Sequence, residues 1–320
     1  MIVINDPSEL EGSLTESCVT LGNFDGVHKG HQKLISSVTQ HAVCHHQLSV
    51  VVTFEPHPMK VLAGRKAPPF ITLLDQKLEL IAALGVEVCL VMPFTRELAA
   101  LPPEEFVRSH LVEGLRMKAL YIGYDYAFGR NRAGDYSALK ALGERYGYSV
   151  TQLGPVMVGD AVVSSTRIRD LVQAGRLWDA RELLGRFYQV AGKVVSGVGR
   201  GAAQLGFPTA NLELVDELVP RVGVYACWAE LLDKPREERE PVPAVVNVGH
   251  NPTFGEGADL SVEAHLLDFA ENIYGQNIRL HFVQRIRDEQ RFSGPEELVA
   301  RITEDVRLGR RILAASEALL

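Results

Sequence analysis

The sequence predicts two domains: an α/β half with a mainly parallel sheet, then a β half folded as an antiparallel barrel or sandwich. Three observations predict this. The chain has 320 residues, about twice an ordinary domain. Up to about residue 175, β-branched apolar runs alternate with helical patterns, which is the signature of βαβ units. From Gln189 onward, short strands separated by Gly, Pro and Asn replace that alternation. The boundary is placed at residue 186, giving domains 1–186 and 187–320.

Taken in order, residues 18–24 read as a strand, followed by a glycine-rich turn and a helix from about His31. Residues 48–54 (LSVVVTF) form a buried β-branched strand. Residues 75–84 carry Leu78, Ile81 and Ala82 at helical spacing, with Gly85 placed to end the helix. Residues 86–91 give the next strand. Pro102 and Pro103 then open a helix whose first turn holds Glu104 and Glu105, as the helix dipole favours. Residues 119–123 and 148–153 read as strands, and 137–146 and 165–174 as helices. Ligands on such sheets sit beyond the carboxyl ends of the strands. In the second half, strands are expected at 189–196, 222–232, 242–248, 261–267 and 278–283, and an amphipathic helix at 295–313. KPREERE (234–240) reads as a solvated hairpin tip.

Composition narrows the function. Hydrophobic residues make up 46% and charged residues 23%, enough to build real cores. The formal net charge is −7 and aromatics are 7%, which argues against a charge-driven nucleic-acid binder. The most apolar stretch, 78–94, is broken by Glu79 and Glu87, so no membrane span is expected. Cys18, Cys44, Cys89 and Cys227 have neither zinc-like nor redox-like spacing and read as reduced thiols of a cytoplasmic protein.

The first motif is Gly22-Asn23-Phe24-Asp25-Gly26-Val27-His28-Lys29-Gly30-His31, between a strand and a helix. A helix N-terminus offers free N–H groups and a positive dipole end to phosphate. Gly26 and Gly30 would let the backbone approach a ligand. His28 and His31 could donate hydrogen bonds to a phosphoryl group as its charge grows. Asp25 reads as a partner for a neighbouring group or ion. A turn with two incidental histidines is the plain alternative, and a zinc site lacks a third ligand. A second element, Ser164-Ser165-Thr166-Arg167, opens another helix. Capping explains the hydroxyls but not Arg167 in a first turn, where the dipole disfavours cations; a bound anion would. Asp125, at a third strand end, suits a nucleotide contact, and neighbouring Tyr124 is expected in the core. His41, His45 and His46 read as residues late in a helix, not a metal cluster.

In the second half, Gly199 and Gly201 lie in a glycine-rich run that leads to Gly206, Pro208, Thr209 and Asn211. No Walker A motif is present. In an extended segment Thr209 and Asn211 face one side and could hold Mg²⁺ beside nucleotide phosphates. Glu263 and His265 share one face of a strand, where Glu263 could accept a hydroxyl proton or simply be exposed.

The segments GNFDGVHKGHQ, TFEPHP, GYDYAFGR, SSTRIR, GFPTANL, PRVGVYA, NVGHNPTF and VEAHLLDF, in that order, resemble the bacterial bifunctional riboflavin kinase/FAD synthetase family nearly end to end. The resemblance implies a Rossmann-like nucleotidyltransferase domain and a six-stranded riboflavin-kinase barrel with a terminal helix. It implies ATP-dependent phosphorylation of riboflavin to FMN, then adenylylation of FMN to FAD with release of pyrophosphate. Glu263 would be the kinase base, and Thr209 and Asn211 the Mg-nucleotide ligands, with Gly199, Gly201, Gly206, Pro208 and Arg221 in the nucleotide or flavin site. His28 and His31 would stabilise the α-phosphate transition state. Gly22, Asn23, Phe24, Asp25, Gly30, Asp125, Ser164, Ser165, Thr166 and Arg167 would hold nucleotide and phosphate. Riboflavin, FMN and ATP are the implied partners, with no nucleic acid or membrane, and a homo-oligomer is left open. Two departures stand out: Ala202-Ala203 where a basic residue is common, and Tyr126 where Phe is usual. A nucleotidyltransferase with another acceptor and a non-catalytic flavin-binding module remain as rival readings.

Overall fold

The computed structural model describes residues 1–10, 16–64, 67–126, 128–129, 134–196, 206–250 and 260–316. By contacts the chain divides into two compact units, 1–164 and 165–320.

The first unit is a six-stranded sheet in the order β1-β4-β3-β2-β5-β6, parallel in every pair. Its strands are β1 (Ile2–Ile4), β2 (Ser17–Leu21), β3 (Leu48–Glu55), β4 (Val88–Pro93), β5 (Met117–Gly123) and β6 (Ser149–Leu153). The central strands are buried on both faces, which is why they read as continuous apolar runs rather than alternating ones. The connecting helices are α1 (Lys29–His45), α2 (Pro58–Ala63), α3 (Leu74–Ala82), α4 (Arg96–Ala100), α5 (Pro103–Phe106) and α6 (Tyr136–Tyr146). α5 continues through Val107–Glu113 as a wider helix, with Gly114 N–H donating to the Ser109 carbonyl at 3.1 Å. The hairpin β7 (Met157–Val158) and β8 (Ala161–Val162) completes the unit. Apolar side chains pack on each side of the sheet. Val19, Leu21, Val50, Val52 and Leu90 meet Phe106, Leu111 and Leu139 on one side. On the other, Val51, Cys89 and Val91 meet Leu34, Ile35 and Ile81.

The second unit begins with α7 (Ser165–Gln173) and α8 (Leu177–Leu184); α8 packs on β9 and β14. Six antiparallel strands then close a barrel in the order β10-β13-β12-β11-β14-β9. They are β9 (Tyr188–Val195), β10 (Ala210–Glu213), β11 (Gly223–Leu231), β12 (Val242–His250), β13 (Leu260–Leu266) and β14 (Asn277–Arg287). The terminal helix α9 (Pro295–Ala314) lies on the outside of β11, β12 and β14. This explains why β11 is buried on both faces. Tyr225 packs edge-on against Phe282, whereas Ala226 and Trp228 on the other face meet Leu313. A Cβ at Gly309 would lie 2.9 Å from the Val245 side chain, so this glycine sets how closely α9 approaches β12. Among the described residues, no helix is long and apolar enough to cross a membrane.

Candidate active sites

The first site lies where β2 ends and α1 begins. Gly22, Asn23, Phe24, Asp25, Gly26 and Val27 form the turn between them. Its backbone is strained: Phe24 and Val27 have φ of 48° and 36°, and Gly26 of 87°. A β-branched residue at positive φ costs about 1–3 kcal/mol and needs support from its surroundings. Asp25 supplies much of that support. It is 3% exposed, and its Oδ1 accepts hydrogen bonds from Ile71 N at 3.0 Å and Thr72 N at 3.1 Å. The Thr72 hydroxyl accepts from Gly26 N at 2.9 Å, and Gln32 Nε2 donates to the Val27 carbonyl at 2.8 Å. Asp25 thus fastens the turn to the segment before α3. Lys77 of α3, 3% exposed, is its electrostatic neighbour; burial pushes the ammonium pKa down, while Asp25 and Glu55 oppose the shift. Asp25→Ala would strand two buried N–H groups. It is expected to lower the stability of this unit by about 2–3 kcal/mol, read from its urea midpoint.

On this turn, His28 caps α1, its Nδ1 accepting from His31 N at 3.3 Å. The two imidazoles stack with centroids 3.6 Å apart and planes 17° from parallel. Phe24 meets His31 edge-on at 5.3 Å. Gly30 permits the stack, since a Cβ there would sit 3.1 Å from the His28 ring. The same point is 3.9 Å from the Val163 carbonyl, so Ser164 follows one residue from the head of α1. Paired imidazoles and free N–H groups at one helix start can bind a phosphoryl group and stabilise charge on it.

The second site is a row of side chains across the outer face of the barrel. Val224 of β11 pairs with Asn247 of β12, Asn247 with Glu263 of β13, and Glu263 with Asn211 of β10. Directly paired residues share a face, so these four lie side by side. The neighbouring row of Tyr225, Val246, Ala264 and Ala210 points inward and is buried. Glu263, Asn247, Thr209, His265 and Glu289 line a cavity of about 260 Å³, with Phe207, Val224, Val245 and Phe292 as apolar walls. Thr209 also lines a second cavity of about 240 Å³, together with Phe269, Asn272 and Tyr274. His265 Nδ1 donates to the Pro208 carbonyl at 2.8 Å, which fixes the residue before Thr209. Burial first, and then the Glu289 carboxylate, pushes the Glu263 carboxyl above its ordinary pKa. Behind this face, Asp305 of α9, 2% exposed, holds Arg287 through Nε at 2.9 Å and Nη2 at 2.7 Å.

The remaining expected residues are placed as follows. Asp125 is exposed in the turn after β5. Ser164 is half-buried and closes the first unit, while Ser165, Thr166 and Arg167 form the first turn of α7 in the second. Gly206 is exposed with φ of 91°. Arg221 is 3.5 Å from Asp288, and its carbonyl accepts from the Tyr225 hydroxyl. Gly199, Gly201 and the Ala202-Ala203 departure lie outside the described residues. Tyr124 corrects an expectation: it is 44% exposed, because it stands in the turn beyond β5 rather than on the strand. His41 and His45 stack along α1 at 3.9 Å, and His46 ends the helix. Sequence reasoning missed Asn247 and Glu289. Asn247 had one signal, as a lone amide among the valines of β12; Glu289 had none.

Two family models divide the chain: FAD synthetase matches residues 11–167 and riboflavin kinase residues 184–313. The bifunctional riboflavin kinase/FMN adenylyltransferase of Escherichia coli K12 is 37% identical over 306 residues, 95% of this chain and 96% of that one. This chain belongs to that family. The Pseudomonas fluorescens riboflavin kinase/FMN adenylyltransferase is also 37% identical, over 93% of this chain and 94% of the relative. A solved structure from Streptococcus pneumoniae, named as a macrolide-efflux protein, shares the fold. Its TM-score is 0.83 at 30% identity, covering 97% of this chain and 98% of that one. As a riboflavin kinase/FMN adenylyltransferase, the enzyme phosphorylates riboflavin to FMN with ATP. It then adenylylates FMN to FAD with a second ATP, releasing pyrophosphate.

Proposed function

We propose that FMN adenylylation belongs to residues 1–186 and riboflavin phosphorylation to residues 187–320. Glu263 is the kinase base: it takes the proton of the terminal ribityl hydroxyl as that oxygen attacks the γ-phosphorus of ATP, the bond from that phosphorus to the β–γ bridging oxygen breaks, and ADP leaves. The observation that carries this reading is the row Asn247, Glu263, Asn211, which sets one carboxylate between two amides at the wall of an apolar-sided cavity. That cavity is the acceptor's. The second, across Thr209, takes the nucleotide, with Phe269 and Tyr274 offering surfaces for a base. Thr209 and Asn211 are hard neutral oxygen donors at the start of β10, a set suited to Mg²⁺ that also keeps water and phosphate oxygens. They would hold the ion, which when bound neutralises phosphate charge.

In the adenylyltransferase half, His28 and His31 donate hydrogen bonds to the α-phosphate as charge builds on it. Gly22, Asn23, Phe24 and Gly30 shape the backbone that receives it, and Asp25 holds that backbone in place. Asp125 is the nucleotide contact, and Ser164, Ser165, Thr166 and Arg167 are phosphate contacts. Among the kinase loops, Gly199, Gly201, Gly206 and Pro208 shape the nucleotide entry, and Arg221 is a further contact. The enzyme is placed in the cytoplasm; its cysteines are free thiols, and burial pushes Cys18 and Cys89 up to about 12.

The test of the assignment is to incubate the protein with ATP and Mg²⁺, in parallel with riboflavin and with supplied FMN, and to separate the flavins over time. From riboflavin, FMN is expected first, then FAD; substitutions in one half should remove FMN formation from riboflavin, and those in the other FAD formation from supplied FMN. Loss of both steps from one substitution in a folded protein overturns the division. The kinase step also carries a pH signature. The carboxylate form of Glu263 is the active one, and its pKa is raised. Therefore kcat/KM for riboflavin is expected to fall with decreasing pH at a value above the ordinary carboxylate range. The other ionisable groups lining the cavity are Glu289, His265, Arg287 and Asp305.

A further inference from the structure

Glu289 follows β14 and lines the same cavity as Glu263. A missing side chain makes room for it. Gly249 lies two residues along β12 from Asn247, on the same outer face. A Cβ at Gly249 would be 2.7 Å from Glu289 Oε1 and 3.2 Å from Asn247 Nδ2. The Glu289 carboxylate therefore rests over the bare backbone of Gly249, beside the amide that neighbours Glu263. The nearby cations are engaged elsewhere: Arg287 with Asp305, and Arg285 with Asp288. Among the described residues, Glu289 makes no hydrogen bond or ion pair.

Proton abstraction needs one carboxylate. A second one in the same cavity makes ionising the first harder. Its presence is explained if it serves the substrate. The acceptor of this reaction carries a chain of neutral hydroxyls, and a carboxylate accepts from such donors with short, strong hydrogen bonds. We propose that Glu289 is a specificity residue of the kinase site, accepting a hydrogen bond from an internal hydroxyl of the ribityl chain while Glu263 engages the terminal one. The enzyme then recognises the polyol as well as the hydroxyl that is phosphorylated. This rests on Glu263 being the base.

The experiment compares kcat/KM for riboflavin with that for a flavin bearing a 5-hydroxypentyl chain, which keeps the terminal hydroxyl and lacks the internal ones. The full-length enzyme is expected to prefer riboflavin by about 100-fold or more. Glu289→Ala should cut that preference by about tenfold or more, the loss falling on riboflavin. Gly249→Ala should act in the same direction, because its Cβ displaces the end of a flexible side chain at little cost to the fold. Glu289→Gln, which keeps an acceptor oxygen, should retain most of the preference. A Glu289→Ala enzyme with the full preference overturns the proposal, as does a Glu289→Gln enzyme as indifferent as the alanine variant. If a variant does not turn over, the ratio of the two flavins' Kd values, from fluorescence titration, reads the same preference. Glu263→Gln separates the two readings. It should slow phosphorylation of both acceptors alike by about 10²-fold or more, and activity at the parental rate there overturns the base assignment whatever Glu289 does.

Discussion

Replacing Glu263 with glutamine is expected to slow riboflavin phosphorylation by about 10²- to 10⁴-fold, the usual contribution of a positioned general base. Conversion of supplied FMN to FAD should be unchanged. Glutamine keeps the size and one acceptor oxygen but cannot take a proton, so the loss should appear in kcat more than in the KM for riboflavin. The fold has no reason to suffer: Glu263 is half-buried on the outer face, and burial together with Glu289 already disfavours its charge. Thermal stability should hold or rise slightly. Flavin chromatography after parallel incubations with riboflavin and with FMN checks the claim. FMN formation at the parental rate would remove Glu263 from the chemistry.

The second large effect is expected at His31. Replacing it with alanine should lower FAD formation by about 10²- to 10³-fold, the usual cost of one donor to a developing oxyanion. FMN formation should stay at the parental rate. His31 makes a cleaner test than His28. His28 also caps α1 through Nδ1, so its removal adds about 1 kcal/mol of helix destabilisation to any catalytic loss. Removing His31 leaves the cap in place, since the cap uses the backbone N–H of residue 31, and takes away a ring that stacks on His28 and meets Phe24 edge-on. Equal loss of both products in the His31→Ala enzyme would contradict two independent sites.

The strands that sequence reading found are those whose burial writes itself into composition. LSVVVTF in β3 is apolar on both faces, and the edges of the barrel strands are marked by Gly, Pro and Asn. Those it missed are short or lack a clear pattern. β1 has three residues, and Ile2 and Val3 are exposed. β10 has four residues behind a glycine- and proline-rich run, yet it carries Asn211. The helix α8 has only eight residues and stands directly before the domain boundary, with Gly185 ending it in the left-handed conformation. For the sites, His28, Gly30 and His31 are local and legible, being close in sequence and in space. Asn247 and Glu289 reach Glu263 only through strand register and a missing Cβ; Asn247 stands out locally as the amide among the valines of β12, whereas nothing local marks Glu289. Asp25 was visible as a residue of the motif, but its bonds to Ile71 and Thr72 span more than forty positions.

The closed barrel gives the register of β13 a meaning for engineering. Glu263 and Ala264 point to opposite sides of a wall that has no free edge. Inserting or deleting one residue inside Leu260–Leu266 does not merely nudge the carboxylate along. It turns the strand inside out, sending Glu263 toward Tyr225 and Val246 and bringing an alanine to the acceptor. Neighbouring strands cannot absorb the slip, because each is bonded on both sides. Laboratory evolution of acceptor range should therefore proceed by substitution on β12 and β13, and by changes of length only in the connections between strands.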